Sequence, residues 1–94
     1  MDIARSLSDL RDRVGRAREE LRIVEEQMLF QLDVVEEART RMLTSETPLA
    51  ERHYRAARDD YERLSRQRSR LDRTIAELQR EQDRLLDHML ARRP

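Results

Sequence analysis

The sequence predicts an all-α fold, an antiparallel two-helix coiled-coil hairpin that pairs into a four-helix bundle. Three observations predict it: the composition, a heptad spacing of apolar residues in both halves, and one short break between the halves. The 94 residues are 43% charged and include one Gly and two Pro, with Glu, Arg, Leu and Ala dominating. This composition is typical of long helices and coiled coils. The zero net charge and the regular placement of the apolar residues argue against disorder.

Each half of the chain contains a heptad seam, in which successive positions alternate spacings of four and three. Such a seam follows one face of a supercoiled helix. The first seam comprises Ile3, Leu7, Leu10, Val14, Ala17, Leu21, Val24, Met28, Gln31, Val35, Ala38 and Met42. The second comprises Ala50, Tyr54, Ala57, Tyr61, Leu64, Arg68, Leu71, Ile75, Leu78, Gln82, Leu85 and Met89. The spacing predicts two long helices.

The segment "TSETPLAE" separates the two seams. Thr47 is a suitable N-cap, and Pro48 suits the first position of a helix while disfavouring helix at the residue before it. The sequence therefore predicts one helix over about 3–44, a turn over about 45–47, and a second helix over about 48–91. The whole chain, 1–94, is predicted to form a single domain.

The two seams mirror each other about position 46. Antiparallel pairing places Val14 opposite Leu78 and Val35 opposite Ala57, so that paired residue numbers add to 92. Residues 1–46 contain 8 Arg and 11 acids (8 − 11 = −3), and residues 47–94 contain 12 Arg and 9 acids (12 − 9 = +3). The opposite charges of the halves favour this pairing.

The stretch "MLFQLDVV" at 28–35 is more apolar than a two-helix coiled coil requires, since six of its eight side chains are apolar. The excess forms two flanks, one on each side of the first seam. Ile23, Phe30 and Val34 form the Phe30 flank, and Leu29 and Leu32 form the Leu29 flank. A large exposed apolar patch marks an interaction surface. A second copy of the chain, giving a homodimer, is the favoured occupant. The alternatives are a different protein and scattered exposure that binds nothing.

Catalysis and metal binding are not expected. The chain lacks Cys and has only two histidines, His53 and His88, far apart in sequence and without the spacing of a shared metal site. It contains no phosphate-binding loop or nucleophile motif, and a two-helix hairpin rarely encloses a pocket. No catalytic residue, metal ligand or cofactor is assigned. Without a signal-peptide pattern or an apolar run of membrane-spanning length, the expected location is the cytoplasm, with no membrane partner.

Two further sets of polar residues are candidates for binding or specificity. One outward stripe of the second helix could contact phosphates, and it comprises Arg63, Arg66, Arg70, Arg73, Arg80 and Arg84. The favoured interpretation of this stripe is a solvated face, interrupted by Glu77, whose arginines pair with acids at neighbouring turns. The zero net charge and few aromatics disfavour nucleic acid.

The other set interrupts the seams and comprises Gln31, Arg68 and Gln82. Polar seam residues more often fix register and partner number than bind ligands. The Arg68 charge must either extend out of the seam into solvent or meet a carboxylate, for which Glu25 is a candidate. Its replacement by Leu should be neutral or stabilising by up to ~4 kcal/mol.

Most of the chain, from "SLSDLRDRVGRAREELRIVEEQMLFQLDVV" to "YERLSRQRSRLDRTIAELQ", resembles the helical-hairpin anti-sigma factors of actinobacteria that respond to cyclic di-GMP. The resemblance implies a hairpin that regulates transcription by holding a sigma factor. That family reads its nucleotide ligand with a Glu, Ser, Arg, Gln, Asp series. On the second helix, Ser65 and Arg68 match the series, whereas Tyr61, Asp72 and Ala76 depart from it. On the first helix only Asp33 matches, and the departures are Arg18, Arg22, Glu25 and Leu29.

The function predicted from the sequence is therefore that of a non-enzymatic interaction or regulatory module, with a helical partner such as a sigma factor. One alternative is a module that binds a nucleotide or nucleic acid through the Arg stripe. The other is a structural coiled-coil subunit of a larger assembly.

Overall fold

The protein is an all-α helical hairpin. A computed structural model describes residues 2–92, in which α1 spans Ile3–Ser45 and α2 spans Pro48–Ala91. The first helix ends one residue later than predicted, and the connection contains only Glu46 and Thr47. Residues 1, 93 and 94 of the predicted domain lie outside the described part of the chain.

Helix α1 begins with a cap that the sequence analysis missed. The Asp2 carboxylate accepts a hydrogen bond from the Arg5 N–H at 3.2 Å, and the Asp2 carbonyl accepts one from the Ser6 N–H at 3.1 Å. An Asp in this position satisfies a backbone donor that would otherwise lack a partner. Its negative charge also suits the positive end of the helix dipole.

The connection between the helices is a C-cap followed at once by an N-cap. Glu46 has a φ of 51°, in the left-handed region that ends many helices, and its N–H donates to the Met42 carbonyl at 3.1 Å. Thr47 then caps α2, since its hydroxyl accepts a hydrogen bond from the Ala50 N–H at 3.1 Å. Pro48 follows at the first helical position, as the sequence predicts. A two-residue turn therefore completes both helix ends.

Substitutions at the two turn residues should have opposite effects on stability. Glu46→Gly is expected to stabilise the fold by about 0.5–1 kcal/mol, because Gly adopts the left-handed conformation without steric cost. Thr47→Ala should destabilise it by about 1 kcal/mol through loss of the N-cap. Urea unfolding of both variants at one protein concentration measures these changes. A stabilising Thr47→Ala change would show that the cap contributes nothing.

The chain divides into two compact units, each containing a segment of both helices. Among the described residues, we call 2–21 with 70–92 the terminal unit, and 22–69 the turn unit. In the terminal unit, Leu10, Val14 and Leu78 form a buried cluster against which Leu85 packs. The cluster contains the predicted pair Val14 and Leu78. Ala17 and Leu71, also seam residues, are buried in this unit.

The core of the turn unit is built from the same two seams. Val24 is the most buried core side chain, with 2% of its surface exposed, and Met28, Ala38 and Ala57 are also buried. The seam glutamine, Gln31, is half-buried and donates its side-chain N–H to the Ala57 carbonyl across the unit at 2.9 Å. In both units, therefore, the buried residues belong to the predicted seams.

The register can be tested by crosslinking within the terminal unit. Cysteines introduced by Ala17→Cys and Ile75→Cys should form a disulfide readily within one chain, because the seams place these positions opposite each other. The matched control is Ala17→Cys with Leu85→Cys, which lies almost three turns farther along α2 and should not crosslink. Gel mobility with and without reductant measures both. Preferential crosslinking of the control pair would mean that the register is shifted.

Candidate functional site

The apolar flanks of α1 are solvent-exposed in the turn unit. Phe30 and Leu29 are 77% and 69% exposed, far more than any core residue. The rest of the flanks are exposed to between 42% and 47% of their surface, and these are Ile23, Leu32 and Val34. In the same unit, the only large apolar side chain that the described part of α2 exposes is Leu49. The exposed large apolar side chains of this unit therefore lie mainly on α1.

The Phe30 flank borders an open groove between the helices. The groove has a volume of about 380 Å³, and its walls are Gln27, Phe30, Gln31, Asp60, Arg63 and Leu64. Arg63 forms an ion pair with Asp60 on the same helix. The charges contributed by α2 are thus already compensated, and Phe30 offers the groove its largest uncovered apolar surface.

The Leu29 flank borders a second and smaller groove, with a volume of about 200 Å³. Its apolar walls are Met28, Leu29, Leu32 and the Tyr61 ring, and Glu25 and Arg68 complete it. The Arg68 guanidinium lies 3.8 Å from the Glu25 carboxylate. The groove therefore combines an apolar surface with one ion pair, which suits a protein side chain better than a free phosphate.

The three polar seam residues have different environments. Gln31 and Gln82 are half-buried, whereas Arg68 is exposed. About half of the side-chain surface is exposed in both Arg68 and its partner Glu25. The predicted pair of Arg68 and Glu25 is present, and because it is not buried, the neutral end of the range predicted for Arg68→Leu applies. The long Arg side chain carries its charged group out of the seam into solvent.

Replacing Arg68 with Leu is consequently expected to change the free energy of unfolding by less than about 1 kcal/mol in either direction. An exposed ion pair contributes little, because solvent screens it and because holding both side chains has an entropic cost. Urea unfolding of Arg68→Leu beside Arg66→Leu, a neighbour outside the seam, measures the difference. A loss above about 2 kcal/mol would instead place Arg68 in an essential network.

The six arginines of the α2 stripe are all exposed, and they are divided between the two units. Arg63 is in the turn unit and forms an ion pair with Asp60. Arg84 is in the terminal unit and forms an ion pair with Glu81. Within residues 2–92, no ion-pair partner is found for the other four, which are Arg66, Arg70, Arg73 and Arg80. Four guanidinium groups therefore remain available to anions.

Sequence reasoning missed some exposed apolar residues. Leu43 is 62% exposed on α1, and Leu49 is 54% exposed beside the turn. Leu86 and Leu90 near the end of α2 are also exposed. Leu43 lies 14 residues after Leu29, two heptads along the same helix face, and this spacing could have identified it.

Neither a cluster of metal-ligating side chains nor a membrane-spanning helix is found among residues 2–92. Among residues 2–92, no group of three or more His, Asp or Glu residues is placed to hold a metal ion. Neither described helix is long and apolar enough to cross a membrane.

No family model matches the chain, and neither curated proteins nor solved structures give a match. The exposed flanks of α1 are therefore the strongest available indication of function.

Proposed function

We propose that the protein is a non-enzymatic interaction module that acts through the exposed flanks of α1. The Phe30 flank joins two hairpins into a four-helix bundle, and the module holds a helical protein partner. The resemblance to anti-sigma factors makes a transcription factor, such as a sigma factor, the partner class to test first. The observation that carries the proposal is the exposure of the five large apolar side chains of the two flanks, led by Phe30 at 77%.

The physical support is the free energy of apolar burial. Removing apolar surface from water contributes about 25 cal/mol per Å². Single exposed apolar residues are common on protein surfaces, but a contiguous set is typical of a binding surface. In the Phe30 flank the residues lie seven and four apart along α1, and in the Leu29 flank they lie three apart, so each flank follows one helix face. An amphipathic helix presents anchors to a partner helix in this way.

Sedimentation equilibrium and native affinity capture test this proposal together. The isolated protein should sediment as at least a dimer, and capture followed by mass measurement should retain one stoichiometric partner. Ile23→Glu should reduce self-association, while Leu90→Glu, a change at an exposed residue elsewhere, should not. A protein that stays monomeric at high concentration, with no partner sensitive to the flank variants, would contradict the proposal. Large open-ended oligomers would instead indicate a structural subunit.

Anion binding by the terminal unit is a second candidate function. Arg70, Arg73 and Arg80 lie on one face of α2, exposed and without an ion-pair partner among residues 2–92. Arginine forms planar, forked contacts to phosphate, and such binding weakens as salt increases. Titration with polyphosphate at low and high salt tests it, with Arg70→Gln and Arg73→Gln combined as the variant. If the affinity for polyphosphate changes neither with salt nor with the substitutions, this function is excluded.

A further inference from the structure

The Leu29 flank belongs to a longer stripe along α1, which we call the Leu29 stripe. Its positions alternate spacings of three and four, so they follow one face of the helix. All of them are exposed, and in order they are Arg22, Glu25, Leu29, Leu32, Glu36, Arg39 and Leu43. The charges therefore mirror each other about the two central leucines: Arg and Glu before them, Glu and Arg after them.

This mirror symmetry opposes self-pairing. In the antiparallel register that brings Leu29 against Leu32 of a second copy, Glu25 faces Glu36 and Arg22 faces Arg39. A parallel register, in which each residue meets its own copy, also places like charges together. Shifting the antiparallel register by one heptad removes the repulsion but places each leucine against a charged residue. Like charges across an interface suppress the wrong partner, so the stripe discriminates against a second copy of itself.

The Phe30 flank is less affected by such repulsion. Four consecutive positions along the helix face of the Phe30 flank are uncharged, and they are Ile23, Gln27, Phe30 and Val34. The next position, Glu37, is paired with Arg41 at 3.4 Å. On the Leu29 stripe only two uncharged positions separate Glu25 from Glu36. The charges adjoin the apolar contact there, and the two flanks are therefore suited to different partners.

The charges at the two ends of the Leu29 stripe are compensated unequally. Glu25 has Arg68 at 3.8 Å, and Arg22 forms an ion pair with Glu26 at 2.6 Å. Glu36 and Arg39 have no ion-pair partner among residues 2–92. These two charges gain most from opposite charges on a docking helix, since neither has an internal partner to give up.

We propose that the Leu29 stripe binds an amphipathic helix of a different protein, one whose charge order is the inverse of its own. That helix presents two apolar anchors to Leu29 and Leu32, with a basic residue on each side of the anchors and an acidic residue beyond each. The proposal rests on the proposed function and deepens it, because it names the partner surface. Electrostatic complementarity of this kind supplies specificity, while the leucines supply the apolar contact.

Two synthetic helical peptides of identical composition and net charge test the charge order. The first carries Glu, Arg, Leu, Leu, Arg, Glu at spacings of three, four, three, four and three. The second carries Arg, Glu, Leu, Leu, Glu, Arg at the same spacings and so copies the stripe. Fluorescence anisotropy should show the first peptide binding about tenfold more tightly than the second. Leu29→Ser should abolish the binding, and the combined change of Glu36→Arg with Arg39→Glu should reduce the preference.

A second measurement uses the chain itself. Glu36→Arg combined with Arg39→Glu makes the stripe complementary to its own antiparallel copy, without altering net charge. In a Phe30→Glu background, where the Phe30 flank no longer pairs, this variant should self-associate about tenfold more tightly than its parent. The matched control is Glu37→Arg combined with Arg41→Glu, an exchange off the stripe, which should leave the chain monomeric. Sedimentation equilibrium measures all three proteins.

The outcomes separate this inference from the proposed function. Equal binding of both peptides, or no self-association by the charge-exchanged variant, overturns the charge-order inference alone. If neither peptide binds, the charge-order inference is also wrong, while the module function stands if Phe30→Glu still dissociates a dimer. If neither peptide binds and the flank variants leave the oligomeric state and partner capture unchanged, both are wrong.

Discussion

Phe30→Glu is expected to convert the proposed dimer into monomers. A buried Phe contributes about 1.5–3 kcal/mol, and a symmetric interface contains the residue twice, so the loss is about 3–6 kcal/mol. The dissociation constant should therefore rise by about a hundredfold or more. Helix content should be largely unchanged, because Phe30 is 77% exposed and lies outside the seam. Sedimentation equilibrium and circular dichroism measure the two quantities.

The control for this variant is Leu90→Glu, which introduces the same charge at a residue that is 57% exposed in the terminal unit. It should leave the dimer intact. If Leu90→Glu and Phe30→Glu weaken association equally, added negative charge rather than loss of the Phe30 contact is responsible. A Phe30→Glu variant that unfolds instead would show that Phe30 supports the hairpin itself.

Leu78→Ala is expected to produce a large loss of stability in the terminal unit. Leu78 is 8% exposed and packs with Leu10 and Val14, so truncation leaves a cavity and costs about 2–5 kcal/mol. Leu90→Ala, the same truncation at an exposed position of α2, should change stability by no more than about 0.5 kcal/mol. Urea unfolding should be compared at one protein concentration, because association contributes to the measured stability.

If Leu78→Ala and Leu90→Ala destabilise the protein equally, the cluster around Leu78 does not form the core of this unit. A Leu78→Ala loss confined to the terminal unit, with the turn unit still protected in hydrogen exchange, would show that the two units unfold separately.

The helices were predictable from the sequence because a heptad repeat and a capping pair are local signals. The seams predicted every buried side chain, and Thr47 and Pro48 predicted the start of α2. Left-handed Glu46 was not predictable, since nothing in a Glu side chain favours positive φ, and the short connection imposes that conformation on it. The end of α1 was accordingly placed one residue early.

The candidate site was only partly predictable. An excess of apolar residues beside the seam indicated both flanks of α1, and the structure exposes all five of their residues. The sequence left open whether the Arg68 charge extends into solvent or pairs with a carboxylate, because a seam position fixes where the backbone lies and not where a long flexible side chain ends. The pairing of arginines with acids within α2 likewise depends on side-chain conformations that spacing alone leaves open.

Tyr61 lies in the wall of the smaller groove, the one beside the Leu29 flank, so its fluorescence can report on binding in that groove. The chain has no Trp and only two Tyr residues, so Tyr61 and Tyr54 account for its near-ultraviolet fluorescence. Tyr54 is elsewhere, beneath the Arg58 guanidinium at 5.8 Å from its ring centroid. A Tyr54→Phe variant would leave a single emitting side chain, beside Met28 and Leu29. Binding of a peptide that lacks Trp and Tyr could then be followed without a dye, through the change in Tyr61 fluorescence.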